Sequence, residues 1–185
     1  APTLEGYAVD EFGDAIQQFE MESAGQTEYY ATYYFDTLQA AKDFVGIPMS
    51  TNALLDSAMD DQMGVFLSAY NGKLSSVNMG SWFWVDGKLI DVEITHYADT
   101  AELERINSSF ITNQEYVLSS DEYTMSNGET AVIVCWRNEE ESSIRWYRAD
   151  FVQKGTWYEI MLTGGAADSA EESLQTLYRI LDAFE

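Results

Sequence analysis

The clearest pattern in the chain is the alternation of apolar and polar residues between Leu89 and Tyr97. One side of this segment carries Ile90, Val92, Ile94 and His96, and the other side carries Asp91, Glu93 and Thr95. Successive side chains of a β-strand point to opposite faces of its sheet, so this period of two predicts a strand with one buried and one wetted side. Such strands are typical of antiparallel sheets.

Seven further segments have the length and the β-branched or aromatic content of strands. They are residues 28–35, 65–70, 74–79, 82–85, 130–137, 143–153 and 156–163. The turn dipeptides Asn71-Gly72, Asp86-Gly87 and Lys154-Gly155 separate several of them, and a polar connection precedes Asn127-Gly128. Because Asn-Gly and Asp-Gly favour the two-residue turns of hairpins, we expect neighbouring segments to pair as an antiparallel meander.

An apolar period of 3.6 residues marks the helices. We expect a helix over 10–22, a second that Asp36 caps and Gly46 ends, a short turn over 52–59 and another over 100–106. A final helix follows Asp168 or Ser169. Its apolar stripe consists of Leu174, Leu177, Tyr178, Leu181 and Phe184.

Together these elements predict an α+β fold, with an antiparallel, meander-rich sheet and helices packed on one face, including the C-terminal amphipathic helix. The length of 185 residues suits a single domain over 1–185, either as one unit or with residues 1–35 as an N-terminal extension packed on it. With 46% hydrophobic residues the chain can form a core, so we do not expect a disordered protein.

The chain is very acidic, with 9 Lys and Arg residues against 32 Asp and Glu residues and a formal net charge of −23. A field of that sign repels phosphate backbones and anionic membrane surfaces, so we expect no nucleic-acid partner. Two interpretations of the charge remain open. It can serve solubility alone, as most charged faces do, or it can attract cations and basic partners.

The sequence also predicts a location outside the cytoplasm. No segment contains the roughly 20 consecutive apolar residues that span a bilayer, so we expect no direct membrane insertion of this chain. It opens with Ala1-Pro2-Thr3 and shows no signal region, which is typical of a mature or trimmed fragment. Its acidity and its single cysteine favour a secreted or surface protein of a Gram-positive bacterium, anchored by a segment upstream of Ala1.

Few residues offer nucleophilic or metal chemistry. His96, the only histidine, and Cys135, the only cysteine, both lie among apolar positions and are expected to be buried structural residues. Serine-nucleophile elbows and glycine-rich phosphate-binding motifs are absent from the sequence. Asp60-Asp61 and residues 139–141 lack the spacing of a calcium loop, which favours solvated acids. We expect no catalytic residue, no metal and no cofactor.

Two pairs of residues are candidates for ligand binding. Trp82 and Trp84 share one face of a predicted strand, and Trp146 and Arg148 share one face of another. If these side chains are exposed, they could form a platform for a carbohydrate or a peptide, since flat rings provide large contact areas. The alternative is that the rings belong to the core between the sheet and the helices.

Five segments occur in an order that carries a family resemblance. They are DTLQAAKDFVGIP from Asp36 to Pro48, GETAVIV from Gly128, IRWY from Ile144, GTWYEIML from Gly155, and the helix from Ser169 to Phe184. This order resembles an uncharacterised family of extracytoplasmic domains of Gram-positive bacteria, found in predicted lipoproteins and in anti-sigma-factor-like membrane proteins. The chain is more acidic than that family and lacks its second proline after Pro48. The resemblance implies sensing or ligand binding at the cell surface and carries over no site residues.

These observations favour a non-enzymatic binding or sensing module of a secreted or membrane-anchored bacterial protein, with a peptide, a protein or a cell-envelope component as partner. The alternative is a carboxylate-dependent glycan hydrolase, since the sequence selects no acid pair from its 32 Asp and Glu residues. A third hypothesis is a domain that binds another part of its own full-length protein. Two facing carboxylates in a cleft, one with a raised pKa, would favour the hydrolase. An exposed Trp and Tyr patch or a bare sheet edge would favour the binding module.

Overall fold

A computed structural model of the protein describes residues 17–23, 26–70, 73–97, 116–137, 143–164 and 169–185, together with the single positions 99, 101 and 103. The strands in these ranges are β1 (Gln17–Ser23), β2 (Gln26–Phe35), β3 (Met63–Tyr70), β4 (Lys73–Val85), β5 (Lys88–Tyr97), β6 (Tyr116–Thr124), β7 (Thr130–Arg137), β8 (Arg145–Gln153) and β9 (Thr156–Gly164). The helices are α1 (Leu38–Val45), α2 (Ala53–Ala58) and α3 (Ala170–Asp182).

The nine described strands form one antiparallel sheet in the order β1-β2-β3-β4-β5-β9-β8-β7-β6. The chain therefore makes two meanders, β1 to β5 and β6 to β9, which meet where β5 pairs with β9. Two of the turns, Asp86-Gly87 and Lys154-Gly155, have positive φ at both residues, between 52° and 76°. This is the backbone of the type I′ turn, whose twist matches that of paired strands. The predicted antiparallel, meander-rich α+β fold is confirmed.

The helices pack on one face of the sheet, and this face holds the hydrophobic core. The helices contribute Leu38, Ala41, Val45, Leu55, Leu177, Ile180 and Leu181 to it. The strands contribute Val65, Leu67, Met79, Phe83, Ile90, Val92, Ile94, Tyr147, Phe151, Tyr158, Ile160 and Leu162. The predicted inward stripe of the last helix is confirmed, with Leu177, Leu181 and Phe184 buried and Leu174 and Tyr178 partly buried.

Phe184, just after α3, closes the core against the second meander. Its ring lies edge-on to Phe151 and Tyr158, at centroid distances of 5.2 and 5.3 Å. The rings of Phe151 and Tyr158 stack on each other at 4.5 Å. The Tyr158 hydroxyl accepts a hydrogen bond of 2.7 Å from the backbone N–H of Ser50. The polar group of this buried ring is thus satisfied inside the core.

The helix ends follow the capping rules, with one correction. Helix α1 is capped by Thr37, whose hydroxyl accepts a hydrogen bond of 3.0 Å from the N–H three residues later. The predicted cap at Asp36 is wrong by one residue, because it is Thr37 that has the extended backbone of a cap position. Gly46 ends α1 in the left-handed conformation, as predicted. Ser169 caps α3 and forms a capping box with Glu172.

Asn52 connects two helices from a fully buried position. Its Oδ1 accepts a hydrogen bond of 3.0 Å from the N–H of Leu55 and so caps α2. Its Nδ2 donates a hydrogen bond of 2.9 Å to the carbonyl of Ile180 in α3. The turn predicted over 52–59 is therefore confirmed, and its first residue also holds α3 against the rest of the core.

The helix predicted over 10–22 is wrong where the structure can be compared. Residues 17–22 belong to strand β1, which pairs with β2 from Gln17 opposite Thr32 to Ser23 opposite Gln26. Pairing with β2 satisfies the backbone groups of this edge strand that point toward β2, from Gln17 to Ser23, and such a ladder outweighs a helical spacing of three apolar residues. Residues 10–16 lie outside the described ranges.

Two strand predictions are also corrected. The polar connection before Asn127 contains strand β6, which is exposed at most positions and so lacks an apolar alternation. The segments predicted at 74–79 and 82–85 are parts of one strand, because Gly80 and Ser81 remain paired with β5. Of the turn predicted over 100–106, positions 101 and 103 are described, and both are helical.

The double role of Asn52 can be tested with Asn52→Ala. We expect a loss of about 1–3 kcal/mol in the free energy of unfolding, because the variant loses the cap of α2 and the buried hydrogen bond from Nδ2 to the carbonyl of Ile180. Chemical denaturation measures it. Ser57→Ala, at an exposed position of the same helix, is the control and should change stability far less. Equal losses of stability in the two variants would contradict the double role of Asn52 in α2 and α3.

Candidate functional site

The side of the sheet opposite the helices, which we call the open face, carries the side chains that alternate with the core residues. The register of the strands arranges them in rows across the sheet. One row contains Tyr34, Gly64, Gly80, Glu93, Glu159 and Asp150. The next row contains Trp82, Asp91, Met161 and Arg148. Neighbouring strands lie about 4.8 Å apart, so adjacent members of a row are within side-chain contact.

Four large aromatic side chains are exposed on the open face. Tyr34 of β2, Phe66 of β3, and Trp82 and Trp84 of β4 have between 43% and 50% of their surface accessible to solvent. The interpretation of Trp82 and Trp84 as core residues is therefore wrong, because the helices cover the opposite face of their strand. Exposed aromatic side chains grouped in this way are typical of an interaction surface.

A shallow depression of about 230 Å³ lies among these aromatic rings. Tyr34, Phe66 and Trp82 form its apolar walls. Asp61, Asp91 and Glu93 supply carboxylates. A second hollow of about 520 Å³ lies between the Asp86 turn and α3, where Arg179 and Asp86 form an ion pair at 2.5 Å. Two basic side chains, Lys88 and Arg179, line the second hollow, whereas the described lining of the depression contains three acidic side chains and no basic one.

Two glycines form the floor of the depression. Gly64 and Gly80 face each other on β3 and β4. A Cβ atom on Gly80 would lie 2.6 Å from Oε1 of Glu93, and one on Gly64 would lie 3.0 Å from the ring of Phe66. The absence of side chains at these two positions therefore makes the space in which the Glu93 carboxylate and the Phe66 ring lie.

Beside the depression, one arginine holds two carboxylates. Arg148 donates from Nε to Oδ2 of Asp150 at 2.7 Å and from Nη2 to Oδ1 at 2.9 Å. The same Nη2 lies 2.7 Å from Oε2 of Glu159. Asp150 is fully buried and accepts a further hydrogen bond of 2.9 Å from Nε1 of Trp157. The guanidinium also lies 5.7 Å from the centroid of the Trp157 ring. Arg148 is thus fixed by its neighbours.

Burial raises the pKa of the acids in this region. The pKa of Glu159 rises to about 7, because burial and the carboxylates around it outweigh the opposing effect of Arg148. Burial also raises the pKa of Glu93, with a further contribution from Asp91, while a hydrogen bond from Asn78 opposes the rise. The pKa of Asp91 is raised by burial as well. Arg148 thus pairs with two of the four carboxylates, Asp150 and Glu159, and makes no ion pair with Asp91 or Glu93.

The four residues predicted as a ligand platform all lie on the open face, but they do not form one site. Trp82 and Trp84 are exposed on β4, whereas Trp146 and Arg148 lie on β8, which is separated from β4 by β5 and β9. Three strand spacings put Trp82 about 14 Å from Arg148. Trp146 is partly buried and stacks on Trp136 at 6.2 Å. Trp82 thus lines the depression, whereas Arg148 forms ion pairs with Asp150 and Glu159.

Sequence reasoning missed several residues of the depression. Tyr34 and Phe66 belong to predicted strands without any sign of which face would be exposed. Glu93 and Asp91 did give a signal, since their alternation with apolar residues predicted a wetted side. Glu159 gave none, because its place opposite Glu93 depends on the pairing of β5 with β9.

The remaining candidates for chemistry were His96, Cys135 and two acidic segments. His96 is buried on the core face, its Nδ1 is hydrogen-bonded to Oγ1 of Thr156 at 2.8 Å, and burial lowers its pKa. Burial raises the pKa of the Cys135 thiol. Both residues are buried, as predicted. Asp60 and Asp61 are exposed, and residues 139–141 lie outside the described ranges. Among the described residues, no group of three metal-binding side chains could hold an ion.

Comparisons with protein-family models, with curated proteins and with solved structures found no match for the chain. The described helices include none that is long and apolar enough to cross a membrane. The geometry of the open face therefore carries the functional interpretation.

The raised pKa of Glu159 predicts a pH-dependent effect of Glu159→Gln. The folded protein keeps this proton up to a pH of about 7, whereas the unfolded chain loses it near the ordinary value of 4.5. Between these values the wild type therefore loses stability as the pH rises, and an amide does not. We expect the stability of Glu159→Gln relative to wild type to rise by up to about 3 kcal/mol from pH ~4.5 to ~7.5.

Urea denaturation at the two pH values measures this change. Glu122→Gln, which removes an acid from an exposed position of the same face outside the cluster, is the matched control. A pH trend for Glu159→Gln no larger than that of Glu122→Gln would show that the cluster does not hold a proton on Glu159.

Proposed function

We propose that the chain is a non-enzymatic binding or sensing module whose ligand docks on the open face of the sheet. The single observation that carries this proposal is the group of four half-exposed aromatic side chains, Tyr34, Phe66, Trp82 and Trp84, on the face that the helices leave uncovered. Exposing such rings to water is unfavourable, and soluble proteins that do so in a group use them for contact with a partner.

The surroundings of the rings favour binding of a specific ligand over non-specific hydrophobic association. The aromatic walls of the depression provide apolar contact area, and Asp91 and Glu93 provide hydrogen-bond acceptors at its side. A mixture of aromatic anchors and a few polar groups is typical of protein recognition sites. The open face combines both within four neighbouring strands, β2 to β5.

We further propose that this module belongs to the extracytoplasmic part of a secreted or membrane-anchored bacterial protein and binds a peptide, a protein or a cell-envelope component. The acidity of the chain, its single cysteine and its resemblance to extracytoplasmic domains of Gram-positive bacteria support this location. A sheet face with exposed tryptophans suits a ligand with an extended surface, such as a peptide or a glycan strand.

Co-sedimentation with purified Gram-positive cell walls tests the proposal. The walls are stripped of teichoic acids, since those polymers would repel a chain of net charge −23. We expect the wild type to sediment with the walls and the double variant Trp82→Ala/Trp84→Ala to bind at least about ten-fold more weakly, because two stacking surfaces are lost.

The control is Leu118→Ala/Ile144→Ala, which removes two comparably exposed apolar side chains away from the tryptophans. It should bind like the wild type. Walls that retain the tryptophan variant as well as the wild type, or that retain neither protein, would contradict docking of an envelope component on the open face.

One observation favours a second candidate function, a carboxylate-dependent glycan hydrolase. Glu93 and Glu159 face each other on neighbouring strands, and the pKa of Glu159 of about 7 suits a general acid. Two features favour the binding module instead. Glu159 is engaged by Arg148 at 2.7 Å, and it does not line the depression in which a sugar ring could lie.

A reducing-sugar assay on chitohexaose and on purified peptidoglycan separates the two functions. We expect no hydrolysis by the wild type at pH ~5 to ~7, the range in which a carboxylic acid of raised pKa would act. Hydrolysis by the wild type that is abolished in both Glu93→Gln and Glu159→Gln would establish the hydrolase and overturn the binding-only proposal.

A further inference from the structure

The depression on the open face contains negative charge that no described basic residue balances. Arg148 is the cation of this region, and its guanidinium is occupied by Asp150 and Glu159. In the described part of the chain, no basic side chain pairs with Asp91 or Glu93. Burial raises the pKa of both acids; the opposing influence at Glu93 is a hydrogen bond from Asn78, and no cation in the described ranges adds to it. A positively charged group placed between them would gain an ionic partner at each side.

The walls of the depression suit the same kind of group. Trp82 is the aromatic residue that attracts cations most strongly through its ring face, and Phe66 and Tyr34 act in the same way. These rings also provide apolar surface for the methylene stem of a long basic side chain. Aromatic walls and carboxylates thus favour a ligand that is apolar along its stem and positive at its end.

The size of the depression limits what it can hold. Its volume of about 230 Å³ is below the range of roughly 300–1,000 Å³ that is typical of pockets for whole small molecules. A single side chain therefore fits it better than a complete ligand does. The open face continues beyond the depression along β4 to Trp84, which leaves room for the backbone of an extended segment.

We propose that the ligand of the open face is a basic peptide segment, which inserts a Lys or Arg side chain into the depression between Trp82, Asp91 and Glu93. This inference rests on the proposed binding function and specifies the chemistry of its partner. The net charge of −23 attracts such a segment over long range and repels a second copy of the same chain. The long-range attraction raises the association rate, and the depression determines where the segment binds.

Titration with defined peptides tests the inference. The probes are a blocked hexalysine, a blocked hexaglutamate and neutral chitohexaose, with tryptophan fluorescence and calorimetry as readouts. We expect hexalysine alone to bind. General attraction to an acidic protein has to be separated from binding in the depression, so each variant is paired with a control that changes the protein in the same way elsewhere.

Two variant pairs make this separation. Glu93→Gln and Glu122→Gln each remove one negative charge from the open face, but only Glu93 lines the depression. Trp82→Ala and Leu118→Ala each remove an exposed apolar side chain, but only Trp82 lines the depression. We expect Glu93→Gln and Trp82→Ala to weaken hexalysine binding about ten-fold, and their controls less than about two-fold. Gly80→Ala, which displaces the Glu93 carboxylate, should weaken it as well.

Each other outcome has a distinct meaning. Equal weakening by Glu93→Gln and Glu122→Gln would overturn the inference, because bulk charge would then explain the binding. Binding of chitohexaose, lost in Trp82→Ala, without binding of hexalysine would refute a cationic ligand and leave the open face as a binding surface. Binding of none of the three probes would refute the basic segment as ligand, and cell walls that also failed to bind would refute the open face itself.

Discussion

Leu177 and Leu181 of α3 are fully buried against the sheet, in the same core as Leu38 of α1 and Leu55 of α2. Burying one such leucine contributes about 1.5–3 kcal/mol, so these contacts fix which face of the sheet the helices cover. Since strand side chains alternate, every residue between two core positions must then point to the other face. The open face, with its aromatic and acidic side chains, is a direct consequence of this one-sided core.

The acidic cluster on the open face works against the stability of the sheet. Like charges directly opposite each other on neighbouring strands, as at Glu93 and Glu159, are destabilising, and partial burial adds a desolvation cost. Arg148 offsets part of this cost for Asp150 and Glu159. At Asp91 and Glu93 this cost is not offset by Arg148, and the aromatic rings beside them leave about half of their surface in water. Residues that oppose local stability in this way concentrate at functional sites.

The features that were expected to distinguish a hydrolase from a binding module occur on the same face. Facing carboxylates and an exposed aromatic patch are both present. The contacts of Arg148 favour the binding module over the hydrolase. By holding Glu159 in an ion pair, Arg148 makes that carboxyl part of a fixed network. Asp91 and Glu93, which are not paired with Arg148, line the depression beside Trp82 together with Asp61. Recognition of a positive group would use both the aromatic rings and the carboxylates of the depression, whereas acid-base catalysis would use the carboxylates alone.

The local features of the fold could be predicted from the sequence, because they depend on residues close together in the chain. The alternation in β5, the turn at Asp86-Gly87, the end of α1 at Gly46 and the stripe of α3 are all of this kind. The antiparallel α+β architecture followed from them. Tertiary structure alone decided that Trp82 faces solvent, that Glu159 lies opposite Glu93, that Gly80 continues β4, and that 17–22 form a strand. Each of these depends on which distant strand or helix a residue meets, and such long-range pairing leaves no periodic signal within a single segment.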